Sequence, residues 1–133
     1  MISLQKQKNT MSTKNKLGIW MDHSIAHLME FTSNHFEIET IESEFSENKR
    51  TELLEMSENS KQQNLSDYYK KLGETIKNYK RIILFGPTNA KVELFDLLSE
   101  DYRFLKIKFE IKETDKMTTD EQHDFVKSYF SKA

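Results

Sequence analysis

Three short polar segments hold the side chains best suited to chemistry: Asp22-His23 with Ser24 beside them, Thr88-Asn89 with Lys91, and Thr114-Asp115-Lys116. Asp22 and Asp115, with Glu74 as a third carboxylate, are of the type that holds a divalent metal and aligns water for attack on a phosphodiester. Lys91 and Lys116 are of the type that holds a phosphate, helped by the free N–H groups of a helix start. Asp22, His23 and Ser24 include the residue types of a nucleophilic triad. Neighbours on one turn, however, have no rigid element to aim the hydroxyl at the imidazole.

Each of these possibilities meets a plainer competitor. An aspartate suits a turn because its carboxylate accepts nearby backbone N–H groups, and histidine tolerates unusual backbone angles, so Asp22-His23 reads as the link between two strands. The apolar run "RIILFG" brings no acid to the place where a metal site would need one. Four histidines (His23, His27, His35 and His123) lack ligand spacing, and without cysteine there is no thiolate ligand or thiol nucleophile. No catalytic residue, metal or cofactor is expected. What remains is a candidate ligand- or RNA-binding rim of Asp22, His23, Thr88, Asn89, Lys91, Asp115 and Lys116.

The elements that would position this rim follow from hydropathy patterning. "LGIWMD" (17–22) and "RIILFG" (81–86) are apolar on both faces, as central strands are. "IAHLMEF" (25–31) follows the first after too short a gap for anything but a tight turn. Ser33-Asn34 marks the next turn, and "HFEIETI" (35–41) alternates with one wet face. "RFLKIKFEIK" (103–112) also alternates, with Leu105, Ile107, Phe109 and Ile111 on one side and charges on the other, which predicts a second edge strand.

Three helices complete the pattern. Leu65, Tyr68, Tyr69, Leu72, Ile76 and Tyr79 recur at helical spacing over 64–79. Pro87 is expected at the first position of a second helix, with Ala90, Leu94, Leu97 and Leu98 inward. Thr118 and Glu121 form a capping box before a third, buried through Phe125, Val126, Tyr129 and Phe130. Between the third strand and the first helix, residues 42–64 are rich in Glu, Ser, Asn, Gln and Lys and read as a long mobile loop, with a helical turn at most near Leu53, Leu54 and Met56. That loop carries Lys49-Arg50 and Lys61-Gln62-Gln63-Asn64.

The order is β-β-β-α-β-α-β-α. Placing the amphipathic strands at the edges and the apolar ones in the centre gives a five-stranded mixed sheet of order 3-2-1-4-5 with only strand 2 antiparallel. This is an α/β fold of ribonuclease-H-like arrangement. Ligands of open α/β sheets gather at the carboxyl ends of the parallel strands, where the three polar segments would meet. The chain has 133 residues, 36% of them apolar, enough for one core. A single domain over 16–131 is expected behind a disordered tail of 1–15, with Met11 a second candidate start. Charge is nearly balanced, 20 basic against 22 acidic residues, so contact with nucleic acid would be local rather than driven by a global field. No apolar run approaches the ~20 residues of a membrane span, and a cytoplasmic location with no membrane partner is expected.

Four phrases carry a resemblance: "LGIWMDHSIAHLMEF", "LSDYYKKL", "RIILFGPTNAKVELFDLL" and "ETDKMTTDEQHDFVKSYF". They resemble a group of small bacterial proteins with a G-[VI]-W-[LIM]-D-H-x-x-A opening, an I-L-[IL]-F-G-P-x-x-A-K-x-E-L centre and a D-K-M-T-[DT] segment before the last helix. That group is similar in turn to the central domain of the archaeal-eukaryotic peptide-release factors and Pelota, a ribonuclease-H-like translational machinery component. The resemblance covers about residues 16 to 131 apart from the long loop. In release factors that loop holds Gly-Gly-Gln, which triggers peptidyl-tRNA hydrolysis, whereas Pelota has the domain without it. Here glycine occurs only at 18, 73 and 86. The resemblance therefore implies a lone, non-catalytic translation-associated module that contacts the ribosome or tRNA. Two other readings stand beside it: a protein-interaction or homodimeric assembly module, and a metal-dependent ribonuclease-H-like nuclease.

Overall fold

A computed structural model describes residues 15–32, 37–43 and 58–132. The strands are β1 (Lys16–Met21), β2 (Ile25–Phe31), β3 (Glu37–Glu42), β4 (Arg81–Gly86) and β5 (Lys108–Glu113), and the helices are α1 (Glu58–Ile76), α2 (Ala90–Ser99) and α3 (Thr119–Lys132). They form one sheet of order β3-β2-β1-β4-β5. β2 runs antiparallel to both its neighbours, while β1, β4 and β5 are parallel. The alternation of apolar and mixed strands thus places each strand where expected, because only fully apolar segments tolerate burial on both faces.

The sheet separates two unequal cores. On one face Leu17, Ile19, Leu28, Ile82 and Leu84 pack with Tyr68, Leu72 and Ile76 of α1 and with Leu94 and Leu98 of α2. On the other, Trp20, Met29, Ile83 and Phe85 pack against Val126 and Phe130 of α3. A Cβ on Gly18 would lie 2.4 Å from a Val126 methyl carbon, so the absent side chain lets α3 approach β1. The Thr118–Glu121 capping box forms reciprocally: Thr118 N donates to Glu121 Oε1 at 2.9 Å and Glu121 N to Thr118 Oγ1 at 3.1 Å.

Four boundaries differ from expectation. α1 begins at Glu58, so Lys61-Gln62-Gln63-Asn64 belongs to its first turns and not to a loop, and Gln63 bonds Asp67 one turn on. The same helix stops at Ile76, yet Tyr79 beyond it is buried and donates to Glu30 Oε1 at 2.9 Å. α2 begins at Ala90 with Asn89 as N-cap, three residues after Pro87. Its Leu97 is 40% exposed and Lys91, not expected in the core, is 1% exposed. β5 begins only at Lys108, because Asp101 caps a one-turn 3₁₀ helix over Tyr102–Phe104 and leaves Leu105 71% exposed.

Asn15, placed in the expected tail, accepts hydrogen bonds from the N–H groups of Lys80 and Arg81 at 3.0 and 2.8 Å. Residues 1–14 of that tail lie outside the described residues. So do the Ser33-Asn34 turn, residues 44–57 of the expected loop with Lys49-Arg50, and the helical turn near Leu53. Among the described residues no helix is long and apolar enough to cross a membrane.

Candidate functional site

β1, β4 and β5 end side by side, which carries the three polar segments to one rim. At the end of β1 the Asp22 carboxylate turns back on its own chain. Its Oδ1 accepts the N–H groups of Ser24 at 2.7 Å and Ile25 at 2.9 Å, and the Asp22 N–H closes the turn onto the Ile25 carbonyl at 3.0 Å. One oxygen that binds two amides of a hairpin is occupied in holding that hairpin. Asp22 is a turn residue.

His23 points along the rim. Its Nε2 lies 3.1 Å from Glu93 Oε1 on α2, and the same oxygen accepts the Tyr69 hydroxyl at 2.6 Å. Tyr68 donates to the Asp22 carbonyl at 2.8 Å, and Ser43 Oγ to the His23 carbonyl at 3.1 Å. The β1–β2 turn is therefore fastened to α1, α2 and the end of β3. The phenol of Tyr68 is pushed well above its ordinary value by burial, then by the Asp22 charge. That of Tyr69 is pushed up by burial, then by its bond to Glu93. Both tyrosines stay protonated donors.

The second segment is also turned inward. Thr88 Oγ1 accepts the Ala90 N–H at 3.2 Å, which satisfies one open amide of the helix start. Lys91, expected to reach a phosphate, instead places Nζ on the Thr88 carbonyl and 2.8 Å from Glu113 Oε1 at the end of β5. It ties α2 to β5 beneath the rim. Asn89, Asp115 and Lys116 are exposed, and His23 is partly so. Of the seven expected rim residues, then, Asn89, Asp115 and Lys116 face solvent, His23 is half-buried and held by Glu93, and Asp22, Thr88 and Lys91 are turned into the fold.

Glu74 forms an ion pair with Lys77 at 2.6 Å on an exposed part of α1. Among the described residues no three His, Asp or Glu side chains group as metal ligands would. The residues missed from sequence are Tyr68, Tyr69 and Glu93. Tyr68 and Tyr69 fit the apolar stripe of α1 and read as core, but a buried phenol needs an acceptor, and that requirement was the available signal. Gly86 shapes the rim as well: with φ at +144°, its absent Cβ would sit 2.2 Å from the Met21 carbonyl oxygen.

No protein-family profile and no curated protein matches the chain. Solved structures do match in fold. Pelota of Thermoplasma acidophilum superposes with a TM-score of 0.58 at 16% identity, over 94% of this chain and 36% of that one. Dom34 of S. cerevisiae, described as a translation termination-like factor involved in RNA quality control and interacting with Hbs1, gives 0.58 at 20% identity, over 99% and 39%. The archaeal translation termination factor aRF1 gives 0.60 at 18% identity, over 92% and 36%. This chain spans little more than a third of each. At such identities the likeness establishes a shared fold, that of one domain within these translation factors.

Proposed function

We propose that this chain is a non-catalytic, translation-associated module that binds the ribosome or tRNA through the exposed side chains of the carboxyl rim. The observation that carries the reading is the fold: over nine-tenths of the chain superposes on Pelota, Dom34 and aRF1. The rim supports a binding role over a catalytic one. Its carboxylate at Asp22 and its lysine at Lys91 are spent on internal bonds, and the sequence carries no Gly-Gly-Gln. Lys116 and Asn89, both exposed, are the groups that meet a phosphate or a base edge. Lys49-Arg50 is a further basic pair in the sequence between β3 and α1.

Co-sedimentation of the tagged chain with ribosomes in lysate of its native host, at low and moderate salt and with RNase-treated controls, tests this. Salt-sensitive migration with ribosomal particles, weakened by Lys116→Glu and unchanged in a folded Glu74→Gln control, is expected. Absence from every ribosomal fraction at both salts would overturn the reading.

A further inference from the structure

The two edges of the sheet differ in a way that bears on assembly. β3 has the sequence EIETIE, with acidic residues and no basic one, so no opposite-charge pairs would hold two copies of that edge together. β5 instead alternates in sign, Lys108, Glu110 and Lys112. Lys108 N bonds the Lys80 carbonyl and Thr114 N the Gly86 carbonyl. Because successive residues of a strand point their amides to opposite sides, Glu110 and Lys112 also turn theirs toward β4, and Phe109, Ile111 and Glu113 turn theirs away. Among the described residues no strand lies on that side. An unpaired row of N–H and C=O groups is a template for another strand.

We propose that this edge is a homotypic interface: a second copy of the chain pairs with β5 antiparallel about Ile111, setting Glu110 opposite Lys112 of the partner subunit and Lys112 opposite Glu110 of the partner subunit. Charge selects this register. Moving the pairing so that Glu110 meets its own counterpart brings Lys108 against the second copy's Lys112, and like charges directly opposite are destabilising. Centring the strands on Phe109 restores Lys108–Glu110 pairs but runs past the start of the strand and sets Lys106 against the second copy's Lys112. Only pairing about Ile111 keeps all of β5 in the ladder with both ion pairs formed.

The face that carries the charges agrees with it. Glu110 and Lys112 project on the α3 side, where Tyr129 donates to Glu110 and Lys112 lies 3.7 Å from it, and both stay about half exposed. Phe109 and Ile111 lie on the other side at the margin of the larger core, Phe109 edge-on to Phe95. Pairing about Ile111 brings the two Ile111 side chains together across the junction and sets Phe109 opposite Glu113 of the partner subunit. Just ahead of the strand, Tyr102 and Leu105 leave apolar surface open, 82% and 71% exposed. One edge strand buries less than a standard interface, so the dimer is expected to be weak and the test spans dissociation constants from about 10 μM to about 1 mM.

Sedimentation equilibrium of the full chain from about 10 μM to about 1 mM tests this. The expected result is a shift from 15.8 kDa to twice that mass. Lys112→Glu weakens dimerisation about tenfold or more, and adding Glu110→Lys restores it, since the swapped charges face each other again. Lys108→Glu, opposite Thr114 in this register, changes it by less than about threefold. Circular dichroism confirms that each variant is folded. A mass fixed at the monomer up to the highest concentration overturns the proposal. So does a folded Lys112→Glu variant that dimerises like the parent, a folded double variant that fails to recover, or a Lys108→Glu variant that abolishes the dimer.

Discussion

At the scale of single residues, the rim shows how a side chain suited to chemistry is used for construction. Lys91 sits three residues after a strand-to-helix turn, where its charge suggests a phosphate ligand, and nothing in its neighbours reveals that Glu113, twenty-two positions on, lies 2.8 Å away. Contacts of that separation exist only once β4 and β5 have paired. Lys91→Ala is expected to cost about 2 to 4 kcal/mol, from the buried stem and the orphaned Thr88 carbonyl, and Lys91→Met about 1 to 2, because the stem survives. Glu113 is 70% exposed, so the ion pair itself adds little. Urea unfolding measures both, and equal losses for the two variants would refute the assignment to buried stem. Tyr68 and Tyr69 make a second residue-scale prediction. Their phenols are raised above the unfolded value of about 10, so the native state holds protons that the unfolded chain releases. Stability is full below about pH 10 and falls as pH rises beyond it, by up to about 1.4 kcal/mol per unit for each tyrosine. Alkaline unfolding curves of Tyr69→Phe against the parent check this: the variant should lose stability less steeply.

Strands were the most legible elements, because fully apolar and half-apolar runs separate centre from edge before any contact is known. β1 and β4 illustrate the first case, with Leu17 to Met21 and Ile82 to Phe85 all buried. The 103–112 segment illustrates the limit of the same logic. Its alternation continues back through Leu105, but Asp101 accepts the Arg103 N–H and pairs with its guanidinium, and this local cap turns the chain before the ladder starts. Likewise the polar sequence ahead of Asn64 hides the first turns of α1, because ENSKQQN supplies no apolar period to read. Helix-to-sheet spacing was not legible either, since it depends on Gly18 meeting Val126 across 108 positions. Gly18→Ala is expected to cost about 2 to 3 kcal/mol by forcing α3 outward. Val126→Ala alone should cost about 1 to 3 by leaving a cavity. Combined, they should cost clearly less than their sum, because the smaller residue makes room for the added methyl. Thermal or urea unfolding of the four proteins in this cycle decides it; strict additivity would mean that α3 does not rest on β1 as described.

For the whole molecule, the balance of charge sets what kind of RNA contact is open to it. With a formal net charge of −2, long-range attraction to a polyanion is absent, and association relies on a few local cations. Lys116 stands beside Asp115, and Lys91 is withdrawn into the interior, so the rim itself offers few charges to exchange for counterions. If about three phosphates are neutralised, log K falls against log salt with a slope of about −2 to −3, and raising salt fourfold weakens ribosome binding about fifteenfold to sixtyfold. A protein that coats nucleic acid nonspecifically would show a far steeper loss. The same co-sedimentation experiment, run as a salt titration, measures that slope, and Lys116→Glu should flatten it by about one contact's worth. A slope near zero with binding intact would locate the contact on ribosomal protein rather than RNA. The fold would then be serving recognition through shape and apolar surface, with the exposed Leu97, Tyr102 and Leu105 as the first side chains to truncate.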